Sequence, residues 1–144
     1  MKRIFSLMVI ALLLIAGCSK EEEIITPSGP TNVREFTGTT DKSKECSVTL
    51  GDLNGATYVT AYSITYTYSA LGGNVNETHS KSNSNGLASL TNSSFVLNVT
   101  DSSPNGTING TLNGTVINGT FGFKVIRMAG DTINVAGTFT LNKK

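Results

Sequence analysis

The chain has 144 residues, a formal charge of +1, only 15% charged residues, 15 glycines and no tryptophan. That length holds one domain and not comfortably two. The balanced charge offers no basic patch, which argues against nucleic acid as a partner. One histidine and two cysteines are too few to build a zinc site.

Met1-Lys2-Arg3 places two positive charges ahead of a run, Ile4 to Ala16, that is apolar except for Ser6. This is the layout of a secretory signal, and the run is shorter than the roughly 20 residues a helix needs to cross a bilayer. Its exit, Ile15-Ala16-Gly17-Cys18, resembles the lipobox of bacterial lipoproteins. The resemblance covers residues 1–18. It implies cleavage before Cys18, a diacylglyceryl thioether on its sulfur and acylation of the new amino group. Each buried methylene contributes about 0.8 kcal/mol, so two or three chains hold a protein on a membrane far more firmly than one. Residues 1–17 are thus read as the signal peptide and Cys18 as the lipidation site. The implied address is the cell envelope, with the membrane as partner through Cys18.

Residues 18–33 read as a tether. Ser19-Lys20-Glu21-Glu22-Glu23 is polar, and Pro27 and Pro30 flank Ser28-Gly29. An acidic cluster just after the lipidated cysteine also resembles the surface-export signal of some Gram-negative lipoproteins, which would place the protein on the outer membrane facing outwards. The alternative is a plain solvated spacer. From Cys18 onward nine basic residues face ten acidic ones. Cys46 is then the one free thiol, so no internal disulfide forms. Cys46, Val48 and Leu50 share one face of a strand-like run, which reads Cys46 as a small buried hydrophobe.

Residues 34–144 carry the domain, and their pattern has period two with Gly/Asn punctuation. Tyr58, Thr60, Tyr62, Ile64, Tyr66 and Tyr68 alternate with Thr57, Val59, Ala61, Ser63, Thr65 and Thr67. Unbroken alternation would put all four tyrosines on one face of one strand. Between residues 70 and 93, Gly72-Gly73-Asn74 suggests a turn and Ser80 to Gly86 a polar loop. Short strands are expected around 75–79 and 87–90. Phe95, Leu97 and Val99 alternate with Val96, Asn98 and Thr100, and Ile133, Val135, Gly137, Phe139 and Leu141 mark a last strand. Thr, Tyr, Val, Ile and Phe suit these pleated positions.

Asn-Gly-Thr recurs at Asn105, Asn109, Asn113 and Asn118, at spacings of 4, 4 and then 5. Steps of four keep each copy on one face of a strand, and the last step of five breaks that register. The break predicts a two-residue turn at Asn118-Gly119. Ile117 would then face Thr120, Val116 would face Phe121, Gly114 would face Phe123 and Leu112 would face Val125, with glycines making room for phenylalanines. A solenoid is disfavoured, because structural repeats have periods of about 20 residues or more.

The total is about eight strands in an all-β fold. The expected architecture is a single antiparallel β-sandwich, with an up-and-down β-barrel as the alternative. Phe36-Thr37-Gly38-Thr39-Thr40, Cys46 to Leu50, Val59 to Tyr66 and Gly106 to Thr111 are together similar to small Gly/Thr-rich all-β domains of bacterial secreted and lipid-anchored proteins. That resemblance implies a β fold and no particular activity.

No catalytic set stands out. His79 lacks a Gly-x-Ser-x-Gly elbow to complete a serine triad. The carboxylates Glu45, Asp52, Glu77, Asp101 and Asp131 lie in no aromatic cleft of the glycosidase kind. Asp52 to Gly55 and Asp101 to Gly106 read as turns that need no calcium. Seven Asn-x-Ser/Thr sequons and the acceptor-like Asp131-Thr132-Ile133 fit Asn/Thr-rich strands and turns. Tyr58, Tyr62, Tyr66 and Tyr68 are the candidate binding residues: a platform for glycans or proteins if exposed, core if inward. The expectation is a non-enzymatic, cofactor-free envelope lipoprotein with a binding, adhesion or accessory role. The alternatives are a lipocalin-like carrier lined by Tyr58, Tyr62, Phe95, Phe121, Phe123 and Phe139, and a hydrolase using His79.

Overall fold

Alternation of β-branched and aromatic residues with Thr, Ser and Asn gives each segment one apolar and one polar face, and such strands pair side by side to bury the apolar one. The computed structural model describes residues 29–70, 72–127 and 130–144. The signal peptide, Cys18 and most of the tether lie outside the described residues.

Among the described residues there are nine strands and no helix. They are β1 (Thr31–Thr40), β2 (Glu45–Leu53), β3 (Ala56–Ala70), β4 (Gly73–Ser82), β5 (Ala88–Ser89), β6 (Ser94–Thr100), β7 (Asn105–Asn113), β8 (Val116–Ile126) and β9 (Thr132–Lys143). The protein is all-β, as its pattern predicts. The strands form one antiparallel sheet in the order β4-β3-β2-β1-β9-β8-β7-β6, with β5 extending the β4 edge along β3. The sheet is not closed: β4 and β6 are its two ends.

The sheet folds over on itself. β3 and β8 are four steps apart in strand order, about 19 Å in a flat sheet. Yet the rings of Tyr66 on β3 and Phe123 on β8 lie 5.2 Å apart, edge to face. The half built from β1–β4 therefore packs against the half built from β6–β9, as in a sandwich. The two halves are continuous through the β1–β9 ladder, from Phe36↔Lys143 to Thr40↔Phe139. Between them lies one core, including Phe36, Val48, Leu50, Ile64, Leu97, Ile108, Ile117, Phe121, Phe139 and Leu141.

Three local features depart from the simple alternation. β1 starts at Thr31, inside the segment read as tether, because Asn32 and Arg34 bond the Asp52 carboxylate at 2.9 and 3.2 Å and Pro30 packs on Gly51. The prolines hide this start in the sequence. In β3 the register shifts, with Thr49 opposite Ala61 but Leu50 opposite Val59. Thr60 is thus the extra residue of a bulge, which reverses the faces on either side of it.

The third departure is the β7–β8 hairpin. Its turn falls at Gly114-Thr115 and not at Asn118-Gly119, so Leu112 faces Ile117 and Ile108 faces Phe121. Gly114 has φ 61° while Thr115 does not take positive φ, the pattern of a type II′ turn. The turn is displaced by four residues, an even number, so Leu112, Phe121, Phe123 and Val125 still share the inner face. Ile117, which the other register would send outward, is fully buried, and Val116 takes the outer side. Asn54-Gly55, with φ 51° and 81°, makes the two-residue turn between β2 and β3.

The expected pairing of glycine with phenylalanine does occur, with different partners. Phe95 lies opposite Gly110, Phe123 opposite Gly106, Phe121 opposite Gly137 and Phe139 opposite Gly119. A Cβ on Gly119 would fall within 2.3 Å of both the Phe139 ring and the Asn109 carbonyl, whereas one on Gly122 meets nothing within 4 Å. Gly119→Ala should lower unfolding stability by about 2 kcal/mol, the usual scale of overpacking. Gly122→Ala should change it by less than about 0.5 kcal/mol. Urea titration of the two variants beside the parent checks both.

Candidate functional site

The tyrosines sit where the bulge and the open edge meet. Above Thr60, Tyr62 and Tyr66 point inward and are buried at 4% and 2% exposure, and Tyr68 packs partly buried on the core. Below Thr60 the face is reversed. Tyr58 lies on the other side of β3, against Gly86 of the β4–β5 connection. The four tyrosines therefore do not form one platform: three line the inside of β3, and the bulge that removes the fourth has no signature in the alternation itself.

β4 covers those three. Its inward positions are Val75, Glu77 and His79, each partly buried, followed by the more exposed Lys81. The Tyr66 hydroxyl donates to Glu77 Oε2 at 3.0 Å and the Tyr68 hydroxyl to Glu77 Oε1 at 2.6 Å. The Tyr62 hydroxyl lies 3.0 Å from His79 Nδ1, and His79 Nε2 lies 2.9 Å from Asp101 Oδ2, just beyond β6. The arrangement that satisfies all three groups has Tyr62 donating to Nδ1 and Nε2–H donating to the carboxylate. Lys81 Nζ adds a contact to Asp101 at 3.7 Å. Phe123 closes the inner side, 6.3 Å from the His79 ring.

The chain Asp101–His79–Tyr62 thus spans the place where β4 and β6 make no backbone ladder. A charged and an imidazole side chain pointing inward from an edge strand also blunt that edge against pairing with other molecules. His79 is a brace at a seam, its two ring nitrogens engaged by Tyr62 and Asp101. The tyrosines and His79 lie far apart in the chain, and the cross-strand register, Tyr66↔Glu77 and Ile64↔His79, brings them together.

Electrostatics follow the burial. Desolvation pushes the Tyr62 phenol up to about 12, with the Asp101 charge adding to it. Desolvation and the bond to Glu77 raise Tyr66 further, and the Glu77 bond leads the rise at Tyr68. The His79 hydrogen bond and the Lys81 charge hold Asp101 below the ordinary carboxylate range. Burial also pushes the Cys46 thiol up to about 12, as a small buried hydrophobe requires.

The other residues weighed as ligand-lining are core. Phe95, Phe121, Phe123 and Phe139 are each at most 5% exposed and pack on one another or on glycine, Phe121 and Phe123 at 5.3 Å. No group of three or more His, Cys, Asp or Glu residues that could hold a metal occurs among the described residues. The depressions described on the surface are shallow, and one runs across the outer faces of β6–β9 over Asn109, Thr111, Asn118, Thr120, Thr138 and Thr140. Compared with protein-family models, curated proteins and solved structures, the chain matches none.

Two outcomes follow from the titrations. A phenol whose folded pKa is raised contributes stability fully present below its unfolded value near 10 and lost as pH climbs through the folded one. The protein should therefore weaken between about pH 10 and 12. The fall should be shallower in Tyr62→Phe, followed by denaturant titration at stepped pH. Cys46 should resist alkylation in the native protein at pH 8 and react fully once unfolded, read by mass spectrometry of the labelled chain.

Proposed function

We propose that this protein is a lipid-anchored lipoprotein of the cell envelope, held through Cys18 at the outer membrane, whose β domain serves binding, adhesion or an accessory role and not catalysis. The observation that carries the anchoring is the run Ile15-Ala16-Gly17-Cys18 at the end of a charged and apolar leader. A diacylated cysteine would leave the domain tied to the surface by a short polar segment, with the fold beginning at Pro30 to Thr31.

Two features of the domain support a binding role. Both nitrogens of His79 are engaged, by Tyr62 and Asp101, so the imidazole acts as a structural bridge and is not poised over a nucleophile. The aromatic residues that a carrier would need as cavity walls fill the interior themselves. What remains outward is Thr, Ser and Asn: Thr111 lies beside Asn118, and Asn118 beside Thr140, in one row across three strands. Such hydroxyl and amide groups make hydrogen bonds to extracellular glycans or proteins without strong charge preference.

Fractionation tests the anchor. The parent chain expressed in a bacterium should sediment with membranes and partition into detergent, while Cys18→Ser should lose the lipid and fail to mature at the same point. A Cys18→Ser product that stays in the membrane fraction, cut before residue 18, would sink the reading. Protease shaving of intact cells then decides between surface and periplasm, and a glycan and matrix-protein screen with the Cys18→Ser chain tests the binding role.

A further inference from the structure

The two free edges of the sheet are held in different ways. β6 contributes Phe95, Leu97 and Val99 to the core, each at most 3% exposed. β4, a strand of ten residues, contributes no buried apolar side chain. It is held by its ladder to β3, by three phenols bonding Glu77 and His79, and by the two contacts to Asp101. Hydrophobic burial scales with apolar area removed from water, so when β4 leaves that loss is confined to what it covers on β3, its own side chains bringing no fully buried apolar group. Segments with few buried apolar contacts are the ones that open locally below the global unfolding free energy. Positive-φ glycines stand on both sides of β4, Gly72 at φ 81° and Gly86 at φ 85°.

We propose that β4 is a displaceable strand, and that the β3 edge it covers is an acceptor site for an extended polypeptide segment carrying a carboxylate where Glu77 now stands. This rests on the binding reading above and names the site and the partner chemistry. The occupant follows from what β4 leaves behind. The vacated edge offers backbone groups over Ala61–Ala70, which pair in ten-residue register and so call for another extended chain. Beside them stand the hydroxyls of Tyr66 and Tyr68, which now converge on one carboxylate. Arg127, at the same end, is already paired with the Asp131 carboxylate at 2.9 Å. Two convergent O–H donors select an acceptor such as a carboxylate over an apolar or cationic side chain. The Asp101–His79 bond is the latch, since it ties β4 to the opposite half of the fold.

The test uses the full chain carrying Cys18→Ser, in solution. Hydrogen exchange at the β4 amides bonded to β3 should be at least tenfold faster than at the β6 amides bonded to β7. A labelled synthetic peptide of the sequence Gly73–Ser82 should be captured by the protein, and several-fold faster by Asp101→Asn, which weakens the latch at an exposed residue. The same peptide with Glu77→Ala should be captured at least tenfold less well. Lys81→Ala, which removes the weaker contact to Asp101, gives a second loosened latch and should also speed capture. Exchange in β4 no faster than in β6 would overturn the displaceable strand. Failure to capture the peptide, or equal capture of its Glu77→Ala form, would overturn the acceptor site. Because no lipid or cell is involved, these results stand apart from the fate of the anchor and of the glycan screen.

Discussion

The pairing of the first strand with the last is the constraint on which the architecture depends. Without the β1–β9 ladder the chain would be two four-stranded meanders, each with an apolar face and two raw edges. Joining them there makes one sheet of eight strands in line, and a sheet of that length can hide its apolar face only by bending over it. The contact between Tyr66 and Phe123, from strands four places apart, is the direct sign of that bend. The pairing also fixes where the sheet stays open: the two strands farthest from the join, β4 and β6, are its ends and make no ladder with each other, and His79 on β4 meets Asp101 just beyond β6.

That opening accounts for the polar cluster. Unpaired strand edges invite association with other chains, and inward-pointing charged groups are one way proteins limit it. Here His79 and Asp101 supply a side-chain hydrogen bond where backbone bonds are missing, while Glu77 holds the hydroxyls of Tyr66 and Tyr68 on the neighbouring strand. The tyrosines serve both sides of this arrangement. Their rings complete the core, and their hydroxyls give the buried ends of Glu77 and His79 partners, as buried polar groups require.

Much of this was legible in the residues. The alternations of Phe95–Val99 and Ile133–Leu141 mark inner and outer faces correctly, and Cys46, Val48 and Leu50 are buried together. The β7–β8 hairpin was legible in its faces but not in its turn. Moving the turn by four residues keeps Leu112, Phe121, Phe123 and Val125 on one face, so both turns satisfy that part of the local pattern. The burial of Ile117 and the long ladder with β9 decide between them, and both are long-range facts. The bulge at Thr60 is hidden for a related reason: Thr fits a pleated position and a bulge equally well. β4 was legible only as a short strand, because its inward residues are polar and the apolar alternation that betrays other strands is absent. The link from His79 to Asp101 joins positions 22 residues apart across the fold's open side, which no local pattern encodes.

Strand direction carries a last consequence. β1 enters at Thr31 beside Asp52, and β9, running the other way, finishes beside Phe36, so entry and exit share one pole of the domain with the Asn54-Gly55 and Gly114-Thr115 turns. The β1–β2, β3–β4, β6–β7 and β8–β9 connections crowd the opposite pole, together with Asp101. In the anchored state proposed above, with the leading end held at a membrane, that second pole is the one turned away from it.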